Sequence, residues 1–170
     1  MELENYIRDI ADFPKPGIIF KDITPLLGDA HAFAKASEAL KDLVPKTKID
    51  IVVGVESRGY FFGSVLAQQL EAGFVPVRKP GKLPFETTSE SYALEYGTDT
   101  LEIHKDAIKR GDKVVLHDDV LATGGTAAAV VKLIEKLGGE VVQCNFLMEL
   151  TFLNGKDRLK GYDVAAVLKY

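Results

Sequence analysis

At 170 residues and 46% hydrophobic content the chain can bury one core and is too short for two comfortable ones, so a single domain over 1–170 is expected. Its 21 Lys plus Arg stand against 25 Asp plus Glu, which leaves no overall positive field for nucleic-acid backbones and argues against nucleic acid as a partner. No apolar run approaches the ~18 residues that span a bilayer, the opening MELENYIRDIADF is acidic and lacks a secretory apolar segment, and the single cysteine excludes a disulfide or a multi-cysteine zinc site, so a cytoplasmic protein without a membrane partner is expected.

Helical spacing appears over Leu3 to Ile10, and again from Asp29, where Phe33, Ala36, Leu40 and Leu43 share a face. IDIVVGV (49–55) is a continuous β-branched run, the pattern of a strand buried on both faces of a parallel sheet. A helix follows over Gly59 to Ala72, and FVPVRK reads as the next strand. The segment KPGKLPFETTSESYALEYGTDTLEI (79–103) then breaks the alternation. It is polar and contains two prolines, and so long an insertion in a compact domain is usually a functional lid or arm. KVVLHD (113–118) resumes the strands, and Thr126 to Leu137 is a helix with Ala129, Val130, Leu133, Ile134 and Leu137 on its apolar face. EVVQCNFLMEL and DVAAVLKY supply two more strands, the first enclosing Cys144 as a buried structural thiol. Alternating strands and helices predict an α/β fold with a parallel-rich central sheet flanked by helices, which binds ligands at the carboxyl ends of its strands.

The sharpest feature is VVLHDDVLATGGTAAAVVKLI (114–134). An apolar strand ends in Asp118 and Asp119, passes through Ala122, Thr123, Gly124, Gly125 and Thr126, and enters a helix. Glycines let backbone N–H groups approach an anion, the helix N-terminus adds unpaired donors and positive dipole, and the threonines add hydroxyls. Consecutive strand residues point to opposite faces, so both carboxylates can reach one ligand only where the chain turns out of the strand. There they can accept hydrogen bonds from vicinal hydroxyls, and the set describes a ribose 5-phosphate site. A capped helix after two solvated aspartates would use the same residue types, but the strand and acidic pair together favour the phosphate site. Rival phosphate motifs fail: Gly54 and Gly59 have the P-loop separation, but Tyr60 and Phe61 replace its Lys and Ser/Thr, and no G-x-G-x-x-G occurs.

This segment resembles the 5-phosphoribosyl-1-pyrophosphate (PRPP) motif of type I phosphoribosyltransferases. DFPKPGIIFKDITPLL (12–27), GVESRGYFFG (54–63), VRKPGKLP (77–84) and SYALEYG (91–97) are similar, in the same order, to motifs of the adenine-specific branch of that family. The resemblance implies the type I phosphoribosyltransferase fold, with a small N-terminal hood (1–28) over the base and a mobile lid arm (79–103). It implies that adenine and PRPP give AMP and pyrophosphate in purine salvage, with Mg²⁺ as cofactor held mainly by substrate oxygens and water, in a homodimer.

Position by position, the resemblance gives Asp118 and Asp119 to the ribose hydroxyls and Ala122 through Thr126 to the 5-phosphate. Glu56, Ser57 and Arg58 form the pyrophosphate loop, where relatives often have a non-proline cis peptide. Arg78, Lys79 and Lys82 approach the pyrophosphate, with Arg78 implied to reach a neighbouring subunit. A departing pyrophosphate needs such donors where its charge accumulates, and Arg58 is the best placed; Lys79 and Lys82 also read as ordinary solvated lysines. Ile19, Phe20 and Lys21 line the adenine pocket with Phe20 on the purine, while Ile18 reads as core. Glu95 and Tyr96 are the acid and aromatic of the lid, Glu95 acting with Arg58 as a catalytic residue. Two departures are Lys21, where many relatives have Arg, and Phe85, where a smaller or polar residue is common. His31 and His104 read as surface residues, and His117 as buried or in contact with the acidic pair. A transferase for another purine base is argued against by the sequence around Phe20, and a non-catalytic PRPP sensor by the absence of a basic DNA-binding helix.

Overall fold

Leu3–Tyr6 makes a 3-10 turn and the chain then extends into β1 (Arg8–Ala11), which pairs antiparallel with β2 (Ile19–Asp22), in the computed structural model, which describes residues 2–94 and 97–170. The helix expected over Leu3–Ile10 is therefore corrected to a turn and a strand. Eight residues with a costly helical nucleus cannot outcompete a ladder that sets Ile10 opposite Phe20 and is fastened by Arg8–Asp22 (2.6 Å) and Lys21–Asp9 (2.7 Å) ion pairs. The turn between the strands uses Asp12 at φ 55° and Gly17 at φ 86°, and Gly17 N–H donates to the Asp12 carboxylate at 2.8 Å. A short α1 (Thr24–Gly28) follows, with proline in its first turn. Then α2 (Ala30–Leu43) begins where the Asp29 carboxylate accepts the N–H groups of His31 (3.0 Å) and Ala32 (2.8 Å). These elements make up the first of two units, residues 1–39, with α2 continuing into the second, residues 40–170.

The second unit contains β3 (Ile51–Val55), α3 (Gly59–Gln69), β4 (Gly73–Val77), β5 (Thr87–Ala93), β6 (Thr98–His104), β7 (Lys113–Leu121), α4 (Gly125–Lys136), β8 (Glu140–Glu149) and β9 (Val164–Lys169). Five strands form one sheet in the order β4–β3–β7–β8–β9, every pair parallel, as the β-branched runs predict. Side-chain alternation distributes the helices. Val53, Val114, Leu116 and Phe146 pack with Val130, Leu133 and Ile134 of α4, whereas Val52 and Val115 pack with Leu66 and Ala67 of α3 on the opposite face. Cys144 lies fully inside the α4-side core, where burial pushes its thiol up to about 12, so it is the structural cysteine expected.

The polar insertion is not structureless. Its β5 and β6 form an antiparallel hairpin, and Leu101 and Ile103 of β6 enter the α4-side core. Arg78 bridges antiparallel to Glu102, Lys136 donates to the Ser89 carbonyl at 3.2 Å, and Lys132 meets Glu90 at 3.4 Å, so the hairpin is moored to β4 and α4.

Candidate active site

The ladder explains where the site opens. β7 pairs with β3 only as far as Gly54–His117, because β3 then gives way to the 56–58 loop, while its pairing with β8 continues to Leu121–Glu149. Asp118 and Asp119 thus lie within the strand, which runs three residues beyond the expected end at 118, and both border a cleft along the edge that β3 has left. The expectation that the chain must already be turning there is corrected: an edge freed on one side serves instead of a turn. The cleft has a volume of about 410 Å³, a size suited to a nucleotide-like ligand.

Asp119 is 3% exposed and meets Arg58 Nε at 2.8 Å. Asp118 accepts the Asp119 N–H at 2.9 Å. Burial and the neighbouring Asp119 charge push the Asp118 carboxyl well above its ordinary range; burial raises Asp119 too, and Arg58 opposes that rise. Both carboxyls line the cleft, where they can accept from hydroxyl donors. Arg58 sits directly before α3, and the close approach that brings it there depends on Gly59. A Cβ at Gly59 would stand 2.9 Å from the His117 carbonyl oxygen and 3.0 Å from Asp118 Oδ1.

Below Asp118 a smaller recess of about 70 Å³ is lined by Ala122, Thr123, Gly124 and Thr126 at the start of α4. Gly124 caps this helix at φ 81°. A Cβ on Gly124 would also strike the Gly155 carbonyl oxygen at 2.3 Å, and one on Gly155 would strike the Ala122 carbonyl oxygen at 2.3 Å. The loop thus rests backbone to backbone on a 3-10 segment, Gly155–Leu159, that no local sequence signal connects with it.

Opposite lies the 56–58 loop, with a cis peptide between Glu56 and Ser57. Glu56, Ser57 and Arg58 all line the cleft, and Glu56 also serves the cations: it accepts the Lys79 N–H at 2.8 Å, contacts Lys82 Nζ and stands 3.4 Å from Arg78 Nε. Burial raises its carboxyl, but Lys82 and the Lys79 N–H outweigh that and hold it below its ordinary value. Lys79 lines the cleft with its ammonium on Asp99. Tyr92 lines it too, its hydroxyl accepting from Thr126 Oγ1 at 3.1 Å and donating to Asp99 at 3.2 Å. Sequence reasoning missed Tyr92, Asp99 and Gly155. The first two come together only through the pairing of β5 with β6, which no local pattern in TTSESYA announces.

Ile19, Phe20 and Lys21 lie on β2 in the first unit, Ile19 exposed and Phe20 edge-on to Phe13 at 5.1 Å. Ile18 is 43% exposed and is not core, since it occupies the hairpin connection rather than a packed face. Glu95 and Tyr96 lie outside the described residues. No group of three or more His, Cys, Asp or Glu among the described residues could hold a metal by itself.

A parallel sheet that presents vicinal carboxylates, a glycine-entered helix and facing cations at its carboxyl edge defines a protein that handles a phosphorylated sugar. The phosphoribosyl transferase domain model matches residues 27–165. Adenine phosphoribosyltransferase of Christiangramia forsetii is 65% identical over 170 residues, covering 100% of this chain and 99% of that one. Two crystal structures share the fold. Adenine phosphoribosyltransferase of Rhodothermus marinus has a TM-score of 0.94 at 56% identity, covering 99% of this chain and 96% of that one. That of Saccharomyces cerevisiae, complexed with an imino-altritol bisphosphate and adenine, has a TM-score of 0.91 at 43% identity over 96% of this chain and 95% of that one. The chain belongs to the type I phosphoribosyltransferase family, in its adenine phosphoribosyltransferase branch.

Proposed function

We propose that the chain transfers the 5-phosphoribosyl group of PRPP to N9 of adenine, giving AMP and pyrophosphate in purine salvage. One observation carries the reading: Asp118 and Asp119 stand between the recess at the start of α4 and the cations Arg58 and Lys79. Diol acceptors flanked by a phosphate cradle and by cations match the order of groups along PRPP. The adenine phosphoribosyltransferases at 65% and 56% identity support adenine as the base.

In this reading the aspartates hold the ribose hydroxyls and Ala122–Thr126 hold the 5-phosphate. Ser57, Arg58, Lys79, Lys82 and Arg78 surround the pyrophosphate, and Glu56 fixes the last three. Charge develops on pyrophosphate as the C1–oxygen bond breaks, and Arg58 stabilises it there. Ile19, Phe20 and Lys21 receive adenine, while Glu95, beside Tyr96 on the arm, manages the proton that the base must shed as N9 bonds to C1. Closure of the arm excludes water from the ribosyl centre.

The donor set suits Mg²⁺ carried on the substrate. Glu56 is engaged by Lys82 and Arg78 and Asp119 by Arg58, which leaves Asp118 as the cleft carboxylate nearest to free of cations. A cation that keeps substrate oxygens and water as its main ligands needs no more, and when bound it neutralises pyrophosphate charge. The protein works as a cytoplasmic homodimer. The test is incubation with PRPP, Mg²⁺ and each purine base in turn: AMP formed from adenine alone is expected, and product from another base instead would overturn the choice of substrate.

A further inference from the structure

Asp99 of β6 lies directly opposite Tyr92 of β5 in the hairpin register. Its Oδ2 receives the Lys79 ammonium and, at 3.2 Å, the Tyr92 hydroxyl; its Oδ1 receives the Thr100 N–H at 2.9 Å. The Tyr92 hydroxyl in turn accepts from Thr126 Oγ1 at 3.1 Å. An unbroken donor–acceptor chain therefore runs from the start of α4, through hydroxyl and carboxylate, to the lysine across the cleft. Tyr92 also closes on the phosphate loop itself, with Cδ2 only 3.3 Å from where a Cβ on Gly125 would stand.

We propose that Asp99 and Tyr92 are positioning residues that hold the Lys79 ammonium towards the pyrophosphate of PRPP and tie its place to the 5-phosphate loop; the inference rests on the phosphoribosyl-transfer reading above. An ammonium has three donors, so a bond to Asp99 leaves two for phosphate oxygens. A free lysine would lose rotamer entropy on capturing the anion, and Asp99 removes much of that loss beforehand. Lys79 first, then the Thr100 N–H, keep the Asp99 carboxyl below its ordinary value against the opposing effect of burial, and so favour the charged form of the anchor.

Calorimetric titration of the whole protein with pyrophosphate in the presence of Mg²⁺ tests this, using wild type, Asp99→Asn, Tyr92→Phe, Lys79→Ala and the double variant Lys79→Ala with Asp99→Asn. Preorganising one flexible side chain is worth about two- to tenfold in affinity, and Asp99→Asn should lose that much. Tyr92→Phe should lose part of it. In the Lys79→Ala background Asp99→Asn should cost nothing more, because its effect passes through the lysine, whereas a merely structural role would add its full loss again. Unchanged affinity in Asp99→Asn, or an additive loss in the double variant, overturns the proposal while wild type still makes AMP from adenine and PRPP. Wild type that makes no AMP overturns the proposed function, and this inference with it.

Discussion

Arg58 stands in two relations at once, to the cleft that it lines and to a buried Asp119 at 2.8 Å. Removing a charge-stabilising donor costs ~2.7–4 kcal/mol in the transition state, so Arg58→Ala should lower turnover about a hundredfold or more. It also strips Asp119 of its cation, letting burial raise that carboxyl further, so KM for PRPP should rise as well. Steady-state kinetics with varied PRPP reads both; a fall in kcat with KM unmoved would separate Arg58 from the ribose site. His117 gives a second prediction. Fully buried, it bonds Asn145 Oδ1 through Nδ1 at 2.9 Å, while Asn145 Nδ2 donates to the Leu40 carbonyl at 3.1 Å, and burial depresses its pKa from 6.5 to about 4. The folded state thus favours neutral imidazole. Its contribution is intact above pH 6.5 and is lost as pH falls towards 4, by roughly 3 kcal/mol in all. Denaturant unfolding from pH 7 to 4.5 should show that slope in wild type and a flatter one in His117→Gln, which keeps a donor but does not titrate; equal slopes would remove His117 as its source. Asp118 and Asp119 were legible as cleft residues because they stand together ahead of a glycine turn in the sequence, and Arg58 through the resemblance of GVESRGYFFG. Tyr92 and Asp99 were not, since their meaning arises only when two strands pair.

The loop that enters α4 is an element whose shape is fixed from outside itself. Gly155 has no left-handed backbone to protect, yet a methyl group there would stand 2.3 Å from the Ala122 carbonyl oxygen, a backbone atom that cannot swing aside. Gly155→Ala should therefore displace residues 122–124, weaken PRPP binding in calorimetry and cost ~1–3 kcal/mol in denaturant unfolding, the usual range for overpacking. Gly28→Ala, at a position where a Cβ would meet nothing within 4 Å, is the matched control and should leave both unchanged. PRPP affinity kept in Gly155→Ala would show that the loop does not depend on this crossing. The same contrast governs what could be read of the elements. Ile51–Val55 and Gly125–Lys136 follow from apolar period alone, since each buries a face that its own residues define. Arg8–Ala11 and Thr87–Ala93 are strands only by virtue of their partners, and Asp118–Leu121 stays extended because β8 holds it, against the weak strand propensity of aspartate.

Taken whole, the molecule is an unpromising host for an anion, with a formal net charge of −4. The cleft and its surroundings do not reverse that balance: Arg58, Arg78, Lys79 and Lys82 face Asp119, Glu56 and Asp99, and Asp118 stands beside them. Each of these four cations is already engaged by a carboxylate of the chain, which tempers their attraction for PRPP and the several negative charges it brings. The chain supplies direction through placed donors, and on the proposed reading further positive charge arrives with the substrate. A divalent cation bound to the pyrophosphate oxygens meets that need and suits a cleft that offers few carboxylates free of cations. Protein treated with EDTA should therefore keep its far-UV circular dichroism and unfolding midpoint, because no group of three or more His, Cys, Asp or Glu among the described residues could hold a metal, yet form no AMP from adenine and PRPP. Added Mg²⁺ should restore the rate. Ca²⁺, larger and less exacting in geometry, should restore it poorly. AMP formation undiminished in EDTA would mean that the four cations suffice, and would require one of their carboxylate partners, with Glu56 or Asp99 foremost, to release its cation or take up a proton when PRPP binds.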